Sequence, residues 1–94
     1  MVSRDILRKI LERCRKVASE IKDEYYLYHD PDVDLVLEGD NYIMKFRVRD
    51  FADVTYETAV FKKYDELPEW APEDYEEFCY KVLRDMAKLA TAEY

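Results

Sequence analysis

The feature that most constrains this chain is a change of hydrophobic period, made twice. Ile6, Leu7, Ile10, Leu11, Cys14, Val17, Ala18 and Ile21 recur at intervals of three and four. That spacing predicts an amphipathic helix over about residues 4–24, with Ser3 as N-cap and Asp5 in a first turn whose dipole favours an acid. Between residues 33 and 63 the period drops to two. Val33, Leu35 and Leu37 alternate with polar or differently facing neighbours, as do Tyr42, Met44, Phe46 and Val48, and then Val54, Tyr56, Thr58 and Val60. Strands are predicted at about 33–38, 42–49 and 54–63, with turns at 39–41 and 50–53. Gly39, the only glycine, supplies the positive φ that the first turn needs. From Pro72, suited to the first turn of a helix, the helical period returns. Tyr75, Phe78, Cys79, Val82, Leu83, Met86, Leu89 and Ala90 give a second stripe over about 72–92.

One antiparallel sheet with one apolar face and two amphipathic helices makes a two-layer α+β domain. The expected architecture is a β-meander of three or four strands, flanked in sequence by an N-terminal and a C-terminal helix packed on one face. The order is α-β-β-β-α, or α-β-β-β-β-α if Tyr25–Tyr28 adds an edge strand before the turn at His29-Asp30-Pro31-Asp32; the alternative is that Tyr25–Tyr28 is the helix exit. The helices should cover Val33, Leu35, Met44, Phe46, Val48 and Val60. Val36, Ile43, Lys45, Arg47, Arg49, Thr55, Glu57 and Phe61 should lie on the open face, where Val36, Ile43 and Phe61 would form an exposed apolar patch.

At 94 residues the chain has room for one domain, residues 1–94, and one modest core. Charged residues make up 39%, glutamine is absent and asparagine occurs once. Few thermolabile amides with many charges is the pattern of proteins from hot environments, so a thermophilic source, archaeal or viral, is expected. No apolar run is long enough to span a bilayer, and charges interrupt the N-terminus. The expectation is a cytoplasmic protein (host cytoplasm if viral) with no membrane association. Cys14 and Cys79 have no metal-ligand spacing. They read first as two small buried hydrophobes, with a disulfide between the helices as the alternative.

The search for chemistry yields little. His29 is the single histidine and sits in a turn signal; no histidine lies near either cysteine in sequence, and the serines, Ser3 and Ser19, fall on a helix cap and a helix flank. Asp30, Asp32 and Asp34 superficially match a calcium loop, but Leu35 stands where that loop needs glycine and Asn41 where it needs glutamate. No catalytic residue, metal ligand or cofactor is implied, and the chain reads as non-enzymatic.

Charge is distributed unevenly. Arg4, Arg8, Lys9, Arg13, Arg15 and Lys16 stand against Asp5 and Glu12 in residues 4–16. Residues 23–40 and 65–77 carry seven acids each and no lysine or arginine, so the net charge of −7 sits in two blocks. The second block surrounds the only tryptophan: Glu69, Trp70, Glu73, Asp74, Glu76 and Glu77.

Three functions are compatible with this map. The first is a small acidic protein-interaction module in which Glu69, Trp70, Glu73, Asp74, Glu76 and Glu77, with Val36, Ile43 and Phe61, meet a protein partner with a basic surface. If that surface normally holds nucleic acid, the protein inhibits by mimicry. In size and composition the chain is similar to small acidic α+β proteins of phages and archaeal viruses, anti-CRISPR proteins among them, although it shares no motif with them. The second is a self-associating structural protein, a homodimer formed through the Val36, Ile43 and Phe61 patch or through an edge strand at 25–28 or 54–63. The third is a nucleic-acid binder using Arg4, Arg8, Lys9, Arg13, Arg15 and Lys16 on the first helix, or Lys45, Arg47 and Arg49 with Phe61 as a sheet platform. The overall charge repels a polyanion. The bland alternative is a solvated helix face with pairs such as Arg8–Glu12 and Lys16–Glu20. Likewise, acids at 73–77 suit the start of a helix with no partner at all.

Overall fold

The computed structural model describes residues 4–63 and 72–92. Helix α1 spans Arg4–Tyr25, strands β1, β2 and β3 span Asp32–Glu38, Asn41–Arg49 and Thr55–Lys63, and helix α2 spans Pro72–Thr91. The strands form one antiparallel sheet in the order β1-β2-β3. The order α-β-β-β-α is therefore observed, without a fourth strand among the described residues.

The residues after α1 show why. Tyr26 takes φ 57°, and the amide of Leu27 donates to the carbonyl of Lys22 at 3.0 Å. This is the six-to-one bond of a Schellman cap, with Tyr26 at the left-handed position and Leu27 folded back into the core at 5% exposure. Tyr25–Tyr28 is thus the helix exit.

The β1–β2 hairpin closes through Gly39-Asp40, between the paired residues Glu38 and Asn41. Gly39 has φ 62° and Asp40 does not share the positive sign, which matches a two-residue type II′ turn. The β2–β3 connection is organised by Asp50, which is 6% exposed. Its Oδ1 accepts hydrogen bonds from the amides of Ala52 (2.8 Å) and Val54 (2.9 Å), and its carbonyl accepts one from Asp53. Those bonds hold Asp53 at φ 62°.

The core lies between the sheet and both helices, on the expected face. Ile10, Cys14, Val17, Ala18 and Ile21 of α1 and Tyr75, Cys79, Leu83, Met86, Ala87 and Ala90 of α2 bury Val33, Tyr42, Met44, Phe46 and Val48. Phe46 and Phe78 meet edge to face with centroids 6.1 Å apart. Cys14 and Cys79, both fully buried, form a disulfide that joins the two helices, their Cα atoms 5.8 Å apart. The reading of these cysteines as simple buried hydrophobes is thus corrected in favour of the disulfide. Leu89 departs from the expected stripe at 68% exposure, and Ala87 takes a core place instead.

Helix α1 lies over β1 and α2 over β2. Strand β3 extends past both. Thr55, Tyr56, Glu57, Thr58 and Ala59 are all exposed, and Val60, the expected core residue of this strand, is only half-buried.

Candidate interaction surface

The open face of the sheet is built by strand register. Val36 pairs with Ile43, and Ile43 pairs with Phe61. Directly opposite residues in antiparallel strands point to the same face, so the three predicted patch residues form one row across all three strands. Val36 is 44% exposed and Phe61 67%, while Ile43 between them is reduced to 6%. Two exposed apolar side chains thus flank a buried third, on a face that neither described helix covers.

Two rows along the same face, past Asp34–Lys45–Ala59, lies a charged crossing. The Arg47 Nε donates to Glu57 Oε2 at 2.9 Å, and its Nη1 lies 3.8 Å from Asp34 Oδ2. The Glu57 hydrogen bond, with the charges of Glu57, Asp34 and Asp32, raises the guanidinium pKa above its ordinary value. Arg47, the central cation of the proposed nucleic-acid platform, is therefore held by acids on both neighbouring strands. Lys45 also pairs opposite Asp34 in the register.

The basic and acidic helix segments meet each other. Arg13 Nη1 is 3.1 Å from Glu76 Oε2, and its Nη2 is 3.2 Å from Glu73 Oε1. Glu77 pairs with Lys81 at 3.3 Å. Asp74 is exposed on the same first turns of α2. Glu73, Glu76 and Glu77, proposed as part of a recognition surface, thus have internal partners, and Arg13 of the proposed phosphate-binding set is one of those partners. Arg4, Arg8, Lys9, Arg15 and Lys16 remain exposed on α1, with Arg8 against Asp5 at 3.5 Å rather than Glu12. Glu69 and Trp70 lie outside the described residues, as does Ser3.

Further along the helix pair, the Tyr80 hydroxyl donates to the Glu24 carboxylate at 3.0 Å. That hydrogen bond, together with desolvation and the Glu24 charge, raises the tyrosine pKa. A shallow groove of about 450 Å³ separates the outer faces of the helices, lined by Arg13, Lys16, Glu20, Glu73, Glu76 and Tyr80 among others. Arg13 in its lining pairs with Glu73 and Glu76, and its acids outnumber its bases.

No group of histidine, cysteine or acidic side chains among the described residues is placed to hold a metal. Among them, too, no helix is long and apolar enough to cross a membrane. His29 faces Asp53 at 3.8 Å, and Tyr28 packs edge-on to Phe51 at 5.0 Å, so the loop after α1 is tied to the β2–β3 loop.

The residue sequence reasoning overlooked is Asp50. Its signal was an acid directly after a strand, followed by Phe51-Ala52-Asp53, where alternation stops. Comparison of the chain with family models, with curated proteins and with solved structures gave no match.

Proposed function

We propose that the protein is a non-enzymatic protein-interaction module whose contact surface is the open sheet face. The observation that carries this reading is the in-register row Val36–Ile43–Phe61, with its outer members 44% and 67% exposed. Contiguous apolar side chains on an uncovered face, rimmed by charged groups, mark an interaction site. Asp34, Glu57 and Arg47 form that rim on one side, and Phe61 is the anchor because a large aromatic ring dominates such contacts.

The partner suited to this surface is a protein with an apolar depression in a basic setting. The net charge of −7 accelerates encounter with it and repels acidic competitors. The internal pairing of Glu73 and Glu76 with Arg13 moves the emphasis away from the start of α2. There the acids have a structural purpose, and their long-range contribution comes through net charge.

The test is affinity capture from a lysate of the source cell with three baits: the wild type, Phe61→Glu, and a Glu73→Lys/Glu76→Lys double variant. A partner taken up by the wild type should be lost with Phe61→Glu. It should be retained, at reduced yield and with stronger salt sensitivity, by the double variant. Equal recovery by wild type and Phe61→Glu would sink the open face as the contact surface.

A further inference from the structure

We propose that the module is a symmetric dimer in which β3 pairs antiparallel with β3 of a second copy, centred on Thr58. This rests on the reading of the protein as an interaction module and adds its oligomeric state and the register of the contact.

The two edges of the sheet are unequal. Strand β1 follows Pro31 and carries Asp32, Asp34 and Glu38, so two such edges would set acids beside acids. Charge and proline of this kind keep an edge from pairing. Strand β3 has nine residues without proline or glycine, and Glu57 is the only acid in it. That acid is already held by Arg47 at 2.9 Å. Among the described residues, strand β3 also lies beyond both helices, and Thr55 to Ala59 are exposed on both faces of the sheet.

Symmetry then selects the register. A two-fold axis normal to the sheet pairs each residue with one on the same face, and the residue on the axis pairs with itself. The apolar side chains of β3 on the helix-facing side are Tyr56, 36% exposed, and Val60, half-buried. They are equally spaced about Thr58. Centring on Thr58 places each Tyr56 opposite a Val60 of the other copy, an aromatic to β-branched pair, with the two threonines between them. Glu57 then faces Ala59 rather than another acid.

The result is a continuous six-stranded sheet. Phe61 lies on the opposite face from Tyr56, where this register sets it against Thr55 of the other copy. Each dimer therefore presents two Val36–Ile43–Phe61 rows on one surface, which allows bivalent engagement of a repeated partner.

The experiment is sedimentation equilibrium of the wild type and Thr58→Lys, with circular dichroism as the check on folding, and mild oxidation of Thr58→Cys and Thr55→Cys. Thr58 is exposed, so the lysine is compatible with the folded monomer, while two lysines facing each other on the axis oppose pairing. The expected results are a wild-type dimer, a dissociation constant raised by roughly tenfold or more in Thr58→Lys, and interchain cross-linking of Thr58→Cys but not Thr55→Cys. A wild type that is monomeric at all concentrations overturns the dimer. A dimer indifferent to Thr58→Lys, or cross-linked through position 55 instead, overturns the edge register. In either case the Phe61→Glu capture result still decides the open-face surface independently.

Discussion

Arg13 of α1 bridges two carboxylates of α2, Glu76 at 3.1 Å and Glu73 at 3.2 Å, and so ties the basic end of one helix to the acidic start of the other. Acids in the first turn of α2 interact favourably with its dipole, and Arg13 supplies the countercharge from across the interface. The pairs are partly exposed, which limits their contribution. Arg13→Ala should lower stability by about 1 kcal/mol, measured from denaturant midpoints. The loss should shrink at high salt, because screening weakens the exposed pairs. A loss that salt leaves unchanged would mean that Arg13 acts through packing of its aliphatic stem.

Asp50 should matter more than its place in a loop suggests. It is nearly buried and its carboxylate accepts two backbone hydrogen bonds. Asp50→Ala leaves the amides of Ala52 and Val54 without that acceptor and should cost about 2 kcal/mol. Asp50→Asn keeps one acceptor oxygen and should recover part of the loss. Equal stability of wild type and Asp50→Ala would show that the β2–β3 turn is set by its backbone alone.

The Cys14–Cys79 disulfide closes a loop with a sequence separation of 65. Constraint of the unfolded chain by such a loop corresponds to about 4 kcal/mol in the chain-entropy model. Because both sulfurs are buried, reduction requires unfolding. Protein reduced in denaturant and refolded with reductant present should unfold at a clearly lower denaturant midpoint than the oxidised protein, and thiol titration of the oxidised protein should find no free cysteine. Identical midpoints would contradict a stabilising cross-link.

Tyr80 gives a pH dependence with a definite sign. Its neutral hydroxyl donates to Glu24, and the pKa is raised above the ordinary tyrosine value of about 10. The folded state then holds this proton more tightly than the unfolded state. The contribution is fully present below the unfolded pKa and is lost as pH rises through the folded one. Wild type should therefore lose stability more steeply than Tyr80→Phe above about pH 10. Urea midpoints across that range, with a ring-labelled tyrosine resonance following Tyr80 itself, provide the check. Parallel pH profiles would remove the Tyr80–Glu24 bond from the account.

Much of this architecture was written in the period of the apolar residues. The change from three-and-four spacing to alternation placed α1, the three strands and α2, and Gly39 placed the first turn. Alternation also separated Val36, Ile43 and Phe61 from the core face before any register was known. Other features depended on how elements meet, which local period does not encode. Val54, Tyr56, Thr58 and Val60 alternate as well as Tyr42, Met44, Phe46 and Val48 do, yet of these two strands it is β2 that lies beneath a helix. Cys14 and Cys79 fell on the correct stripes, but their pairing depended on the relative rotation and offset of two helices far apart in sequence. Leu89 fitted the helical period and still turned outward, while Ala87 filled the core in its place. The acids of α2 looked like a recognition surface because Arg13, 60 residues earlier than Glu73, gave no sequence signal of its own.

The most direct measurement is the affinity of a purified captured partner for wild type and for Phe61→Glu, by titration calorimetry at matched salt. If the open sheet face is the contact surface, the glutamate places a charge at its most exposed aromatic, and affinity should fall by about tenfold or more. Equal affinity, with both proteins folded, would contradict the central claim that the Val36–Ile43–Phe61 row is what this protein presents to its partner.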